Sequence, residues 1–142
     1  MKIKVLLVDD EKDFIESLAE RLQLRDFDVS TALNGDDAFN LIREKEFDVI
    51  VLDVKMPGKS GIDTLKEIKN INQLSQVIML TGHATVESAI QGMKLGAYDY
   101  IMKPTDTEGL INLINKAYKI VEEHRERIRR AEIDNIVKKH GW

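Results

Sequence analysis

Three aspartates in this 142-residue chain stand within two residues of the ends of apolar runs, where charge is costly to hold. In VLLVDDEKDF, residues 5–14, the run Val5 to Val8 passes straight into Asp9, Asp10 and Glu11. In FDVIVLD the run ends at Leu52 and Asp53 follows. Two further runs end beside other chemistry. QVIML (76–80) precedes Thr81, and YDYIM (98–102) precedes Lys103 and Pro104. Carboxylates about 4 Å apart repel by roughly 4 kcal/mol at an effective dielectric near 20, so a cluster of these acids calls for a cation. The chain has no cysteine, and no histidine stands immediately beside the acids. All-oxygen donors point to Mg²⁺ or a similar hard ion. Mg²⁺ typically takes one or two carboxylates and fills its shell with water and a phosphate. With a further carboxylate, an ammonium and a hydroxyl alongside, such a cluster is suited to hold a phosphoryl group. The metal and Lys103 neutralise charge, and Thr81 donates a hydrogen bond.

These groups meet only if the runs are neighbouring strands. Five short runs recur: IKVLLV (3–8), FDVST (27–31), FDVIVL (47–52), QVIML (76–80) and YDYIM (98–102). They are rich in β-branched or aromatic residues, as strands are. Those at 3–8, 48–52 and 76–80 are apolar almost throughout, which suits parallel strands covered on both faces. Helical spacing separates them. Phe14, Ile15, Leu18 and Leu22 form one stripe, extended by Leu24. Ala38, Leu41 and Ile42 form the next, with Asn34 or Gly35 as cap. Ile62, Leu65, Ile68 and Ile71 follow, then Val86, Ala89, Ile90 and Met93, closed by Gly96. Leu110, Leu113, Ile114, Ala117 and Val121 make the last. Strand and helix alternate five times, which predicts a three-layer α/β domain. The expected fold is a flavodoxin-like (βα)5 unit with a parallel five-stranded sheet in the order 2-1-3-4-5. Ligands in such sheets bind beyond the carboxyl ends of the strands, near the switch in strand order. Asp9, Asp10, Asp53, Thr81 and Lys103 then share one cleft.

The bulk numbers fit one soluble domain: hydrophobic residues make 43% and charged residues 32%. Without cysteine, disulfides and thiolate metal sites are unavailable. The net charge of -4 argues against direct nucleic-acid binding. Acids end the N-terminal apolar run too early for a signal peptide or a membrane span. A cytoplasmic protein without membrane contact is the expectation.

The pattern VLLVDDE…VIVLDVKMPGKSG…VIMLTG…YDYIMKP resembles the receiver domain of two-component response regulators, over about residues 2 to 120. The resemblance implies a phosphorylation-dependent switch. It is no enzyme beyond its own phosphorylation and dephosphorylation. Asp53 resembles the phosphoacceptor, charged by the phosphohistidine of a sensor histidine kinase. Asp10 resembles a direct Mg²⁺ ligand, and Asp9 one acting largely through water. Asp53 and the backbone carbonyl of Lys55 complete the protein ligands. Lys103 resembles the cation that pairs with the acceptor and then with the phosphoryl oxygens. Thr81 and Tyr100 resemble the switch pair, in which the hydroxyl moves inward and the aromatic ring follows. The peptide before Pro104 is expected to be cis. The run TGHATVESAIQGMKLGAYDYIMKP is similar to receivers of the nitrogen-regulator type.

Plainer readings stand beside these. Asp10 could cap the helix that starts near Glu11. Lys103 alone could be a solvated surface lysine, and Thr81 a turn residue. His83 reads as an exposed loop histidine, Gly58 and Gly61 as turn and helix-start residues, and Met56, Met79, Met93 and Met102 as core filling. A haloacid-dehalogenase-like phosphohydrolase wants D-x-D after the first strand, and here the acids are adjacent. A flavin binder needs a phosphate loop that this acid cluster would repel. A pseudo-receiver acting without phosphorylation is the remaining alternative. The output is expected to be a downstream protein target or an output domain missing from this chain.

The expected division is a receiver at 1–120 and a helical extension at 121–142. Between residues 110 and 140 there is no proline or glycine, so the helix should run past residue 128 to Gly141. Ile114, Val121 and Ile128 are seven apart, with Ala117, His124 and Ala131 beside them and Asn135 continuing the series. Glu123–Arg127 and Glu126–Arg130 are favourable i,i+4 pairs, whereas Glu122–Glu126 is a like-charge pair. The seam is thin, and a weak homodimer is the expectation.

Overall fold

The structure is a computed structural model and describes residues 1–82 and 85–141. Strands and helices alternate as β1 (Lys4–Val8), α1 (Lys12–Leu24), β2 (Asp28–Ala32), α2 (Gly35–Glu44), β3 (Val49–Leu52), α3 (Gly61–Ile71), β4 (Gln76–Thr81), α4 (Val86–Lys94), β5 (Asp99–Met102) and α5 (Thr107–His140). The sheet is parallel in the order β2-β1-β3-β4-β5, the expected flavodoxin-like arrangement.

Alternation along each central strand builds two cores. Val5 and Leu7 of β1 face one layer with Ile15, Leu22 and Ile114, between the sheet and helices α1 and α5. Leu6 and Val8 face the other layer with Ile42, Leu65 and Met79. Successive side chains point to opposite faces, so a strand covered on both sides must be apolar at every position. The edge strands β2 and β5 are only partly covered, and their sequences are correspondingly mixed.

Side-chain caps fix where most helices begin. Asn34 accepts from Asp37 N–H at 2.8 Å, Ser60 from Asp63 N–H at 3.2 Å, and Asp106 from Gly109 N–H. At α1 the N-cap is Glu11 without a side-chain cap bond, so Asp10 is not the cap. A Cβ on Gly61 would lie 2.0 Å from the Asp53 carbonyl oxygen, so only glycine lets α3 start this close to the end of β3.

Three expectations are corrected. Leu24 is 82% exposed and does not extend the buried stripe of α1. The apolar stripe of α4 faces outward: Val86, Ile90 and Met93 are exposed, and Gly92 is the buried residue of that helix. Met56 and Met79 fill the core as expected, but Met93 and Met102 do not.

The last helix continues unbroken across residue 120 to Gly141, whose positive φ of 70° terminates it in a left-handed cap. At 34 residues it is about 50 Å long, more than the body of the domain needs. Its buried residues end at Val121, so Ile114 and Val121 belong to the receiving core while Ile128 is exposed. One turn beyond Val121, Arg125 Nη2 donates to Asp48 Oδ1 at 2.6 Å. Asp48 is buried at the start of β3, where its Oδ2 also accepts from Lys4 N–H at 2.8 Å. Glu126 pairs with both Arg129 and Arg130, but among the described residues no Glu123–Arg127 ion pair forms. Arg127 lies against the His124 ring instead. Among the described residues no helix is long and apolar enough to cross a membrane.

Candidate functional site

Register brings the chemistry together. Val8 pairs with Leu52, so Asp9 and Asp53 stand side by side, one residue past the ends of β1 and β3. Asp53 N–H donates to the Val8 carbonyl at 2.9 Å, which ties the two ends. Thr81 closes β4 and pairs with Met102, so Lys103 follows directly beside it, its N–H donating to the Thr81 carbonyl at 2.8 Å. The Lys103–Pro104 peptide is cis, as expected.

Asp9, Asp53 and Thr81 are buried, at 4%, 2% and 0% exposure, whereas Asp10 lies on the rim. Asp9, Asp10 and Asp53 can each offer an oxygen such that all three lie within 4.8 Å of one another. The donor set is all carboxylate, with one ligand open to solvent, which fits a hard divalent ion that keeps several waters. Lys55 N–H makes a long 3.4 Å contact to Asp53 Oδ1. His83 lies outside the described residues.

Lys103 departs from the expected pairing with Asp53. Its Nζ contacts Asp9 Oδ2 at 2.6 Å and Glu11 Oε1 at 3.2 Å, and lies 4.2 Å from the centroid of the Phe14 ring. Asp9 Oδ1 also accepts from Glu11 N–H at 2.9 Å, so Asp9 carries both the turn and the ammonium. Burial pushes the Asp9 carboxyl above its ordinary range. The Lys103 and Glu11 bonds oppose that push, and the Asp53 charge adds to it. For Lys103 burial acts against the charged form. The Asp9 bond and charge, with help from Glu11 and Asp53, outweigh it and leave the pKa raised. Burial therefore forces each group to find a counterion, and Lys103 and Asp9 supply each other's.

Tyr100 is half-buried on β5, and its hydroxyl lies 2.6 Å from Ser88 Oγ of α4. Glu11, Phe14 and Ser88 are contributors that pattern reading did not single out. Glu11 was visible as the third acid of the run, but nothing local tells that it reaches a lysine 92 residues away.

The response regulator receiver domain matches residues 5–115 of the chain. The transcriptional regulatory protein ZraR of Salmonella typhimurium is 39% identical over 116 residues, 82% of this chain and 26% of that protein. A putative NtrX-like response regulator of Rickettsia bellii is 36% identical over 128 residues, 89% of this chain and 27% of that one. The chain thus spans about a quarter of the length of these relatives. A CheY-like receiver domain protein from Methanospirillum hungatei superposes with a TM-score of 0.85 at 25% identity, covering 87% of this chain and 99% of that one. Five parallel strands in this order, acids beyond the first and third, and a lysine beyond the fifth accompany a sequence match over most of the chain, which belongs to the response regulator receiver domain family.

Proposed function

We propose that the chain is the receiver of a two-component phosphorelay and takes a phosphoryl group from a sensor histidine kinase on Asp53. The observation that carries this reading is the convergence of the Asp9, Asp10 and Asp53 carboxylates beside the Lys103 ammonium. An Asp53 carboxylate oxygen attacks the phosphorus of the kinase phosphohistidine. The O–P bond forms as the N–P bond breaks, and its electron pair returns to the imidazole nitrogen. Asp10, Asp53 and the Lys55 carbonyl, with Asp9 largely through water, would hold Mg²⁺, which would supply charge to offset the phosphoryl oxygens. Lys103, which bonds Asp9 at 2.6 Å, turns to pair with the phosphoryl oxygens. Thr81 donates to the phosphoryl group, and Tyr100 moves with it. The receiver unit is residues 1–120. Residues 121–142 make the extension, helical to His140, whose first turn, through Val121 and Arg125, packs on that unit. The output is a downstream protein partner or domain, in the cytoplasm.

Acetyl phosphate with Mg²⁺ should add one phosphoryl group to the wild-type chain and none to Asp53→Asn, read by intact mass. A stable adduct on the Asn variant would remove Asp53 as acceptor.

A further inference from the structure

Tyr100 has a specific partner on α4. Its hydroxyl lies 2.6 Å from Ser88 Oγ, and its ring lies on the α4 side of the sheet, against the face that carries Gly92. Gly92 is one turn beyond Ser88, so both present the same side of the helix. Ser88 is also half of the capping box of α4. Thr85 N–H donates to Ser88 Oγ at 3.1 Å, and Ser88 N–H donates to Thr85 Oγ1 at 3.0 Å. Ser88 Oγ further lies 2.9 Å from Thr85 Oγ1 and 3.1 Å from the Thr85 carbonyl.

We propose that Ser88 is a positioning residue of the switch: its hydroxyl latches Tyr100 to the first turn of α4 and holds the resting arrangement until Asp53 is phosphorylated. The inference rests on the switch role given above to Thr81 and Tyr100. A hydroxyl has one proton and two lone pairs, yet four polar groups surround Ser88 Oγ. With Tyr100 in place, Ser88 accepts from Thr85 N–H and from the tyrosine and donates to the Thr85 carbonyl. With Tyr100 withdrawn, the freed lone pair takes the Thr85 hydroxyl instead. Both networks satisfy Ser88, so the latch can release without leaving its hydroxyl unpaired. The two networks share the backbone capping bonds and differ in whether Ser88 Oγ takes the Tyr100 or the Thr85 hydroxyl. The ring's position is thereby coupled to the helix that presents Val86, Ile90 and Met93 to solvent.

The test is the apparent affinity of the full chain for beryllofluoride in Mg²⁺, with amide hydrogen exchange on the metal-free protein. Ser88→Ala also weakens the cap, so Tyr100→Phe, which keeps it, is the deciding variant. Breaking the latch raises the switched population, so each variant should bind beryllofluoride about three- to tenfold more tightly. The double variant should gain no more than the tighter single one. Without metal, Tyr100→Phe should change amide exchange at the first turn of α4. Wild-type affinity and exchange in Tyr100→Phe, or independent effects that multiply in the double variant, would overturn the latch. A wild-type chain that takes no beryllofluoride would refute the phosphoacceptor reading and the switch role of Ser88 with it.

Discussion

Asp9 and Lys103 are each other's remedy for burial. Asp10, on the rim, adds charge to the cluster without a described partner of that kind. Removing that charge should relieve repulsion. In excess chelator Asp10→Asn is expected to melt about 1–3 °C above wild type, a small shift because the side chain is screened by water. In excess Mg²⁺ the order should reverse. Binding at a hundred times Kd stabilises by about 2.7 kcal/mol, and the variant loses a ligand. A chelated Asp10→Asn that melts below wild type would show that repulsion is not what the acids contribute. Lys69 offers a second test of burial, far from the cleft. Its Nζ donates to the Ser75 carbonyl at 2.9 Å, and desolvation lowers its pKa from 10.5. The folded chain then sheds this proton before the unfolded chain does, so stability on this account rises with pH up to about 10.5. Lys69→Met should lack that rise. Melting curves of the two proteins between pH 7 and 10 should converge, and parallel curves would show that burial leaves the amine untouched.

Element identities were legible in the sequence because the physics is local and periodic: β-branched runs of strand length, helical stripes between them, and caps such as Asn34 and Gly141. What the stripes face was not. The α4 stripe of Val86, Ile90 and Met93 has the same spacing as a buried one, and only the assembled layers tell that it points outward. The site was legible as far as register places it, since Asp9, Asp53, Thr81 and Lys103 all stand at strand ends. Which acid Lys103 chooses depends on side-chain reach, and three acids lie within a few residues of one another along the chain. The seven-residue series of α5 misled in a similar way, since Ile114 and Val121 repeat at that interval as residues buried within this chain. Arg125 was illegible altogether, because its partner Asp48 lies 77 residues away. Asp48 is 5% exposed at its side chain, and among the described residues Arg125→Met leaves that side chain with the Lys4 N–H alone. We expect a loss of about 1–3 kcal/mol, less than for a fully buried pair because Arg125 is partly solvated. Faster hydrogen exchange from residue 122 onward should accompany it. Unchanged denaturant midpoint and exchange would mean that the extension is held by Val121 alone.

Over the whole molecule, one apolar stripe outlasts the body it packs on. Ile128, Ile133 and Ile136 are 46%, 52% and 50% exposed. At about 100° per residue they fall within roughly 140° of arc, with Ile128 and Ile136 on the side of Val121. A second copy of the chain would cover them by pairing extensions. Half-exposed isoleucines gain about 1 kcal/mol each on burial, so six of them supply about 6 kcal/mol. Association costs 4 kcal/mol or more, and the flanking charges add little. The balance, about 2 kcal/mol or less, predicts a dimer weaker than millimolar, in line with the polar His124 and Asn135 beside the stripe. Because Arg125 fixes the extension to β3 and Asp53 follows that same strand, phosphorylation is expected to shift this equilibrium. Sedimentation of the full chain at rising concentration, with and without beryllofluoride, reads it. Ile128→Lys with Ile136→Lys leaves the core intact and should remove the dimer. If wild type stays monomeric at high protein concentration in both states, the stripe is not a self-association surface. Its isoleucines then need another partner, and the helix acts as a rigid arm that sets the distance from Asp53 to whatever the receiver controls.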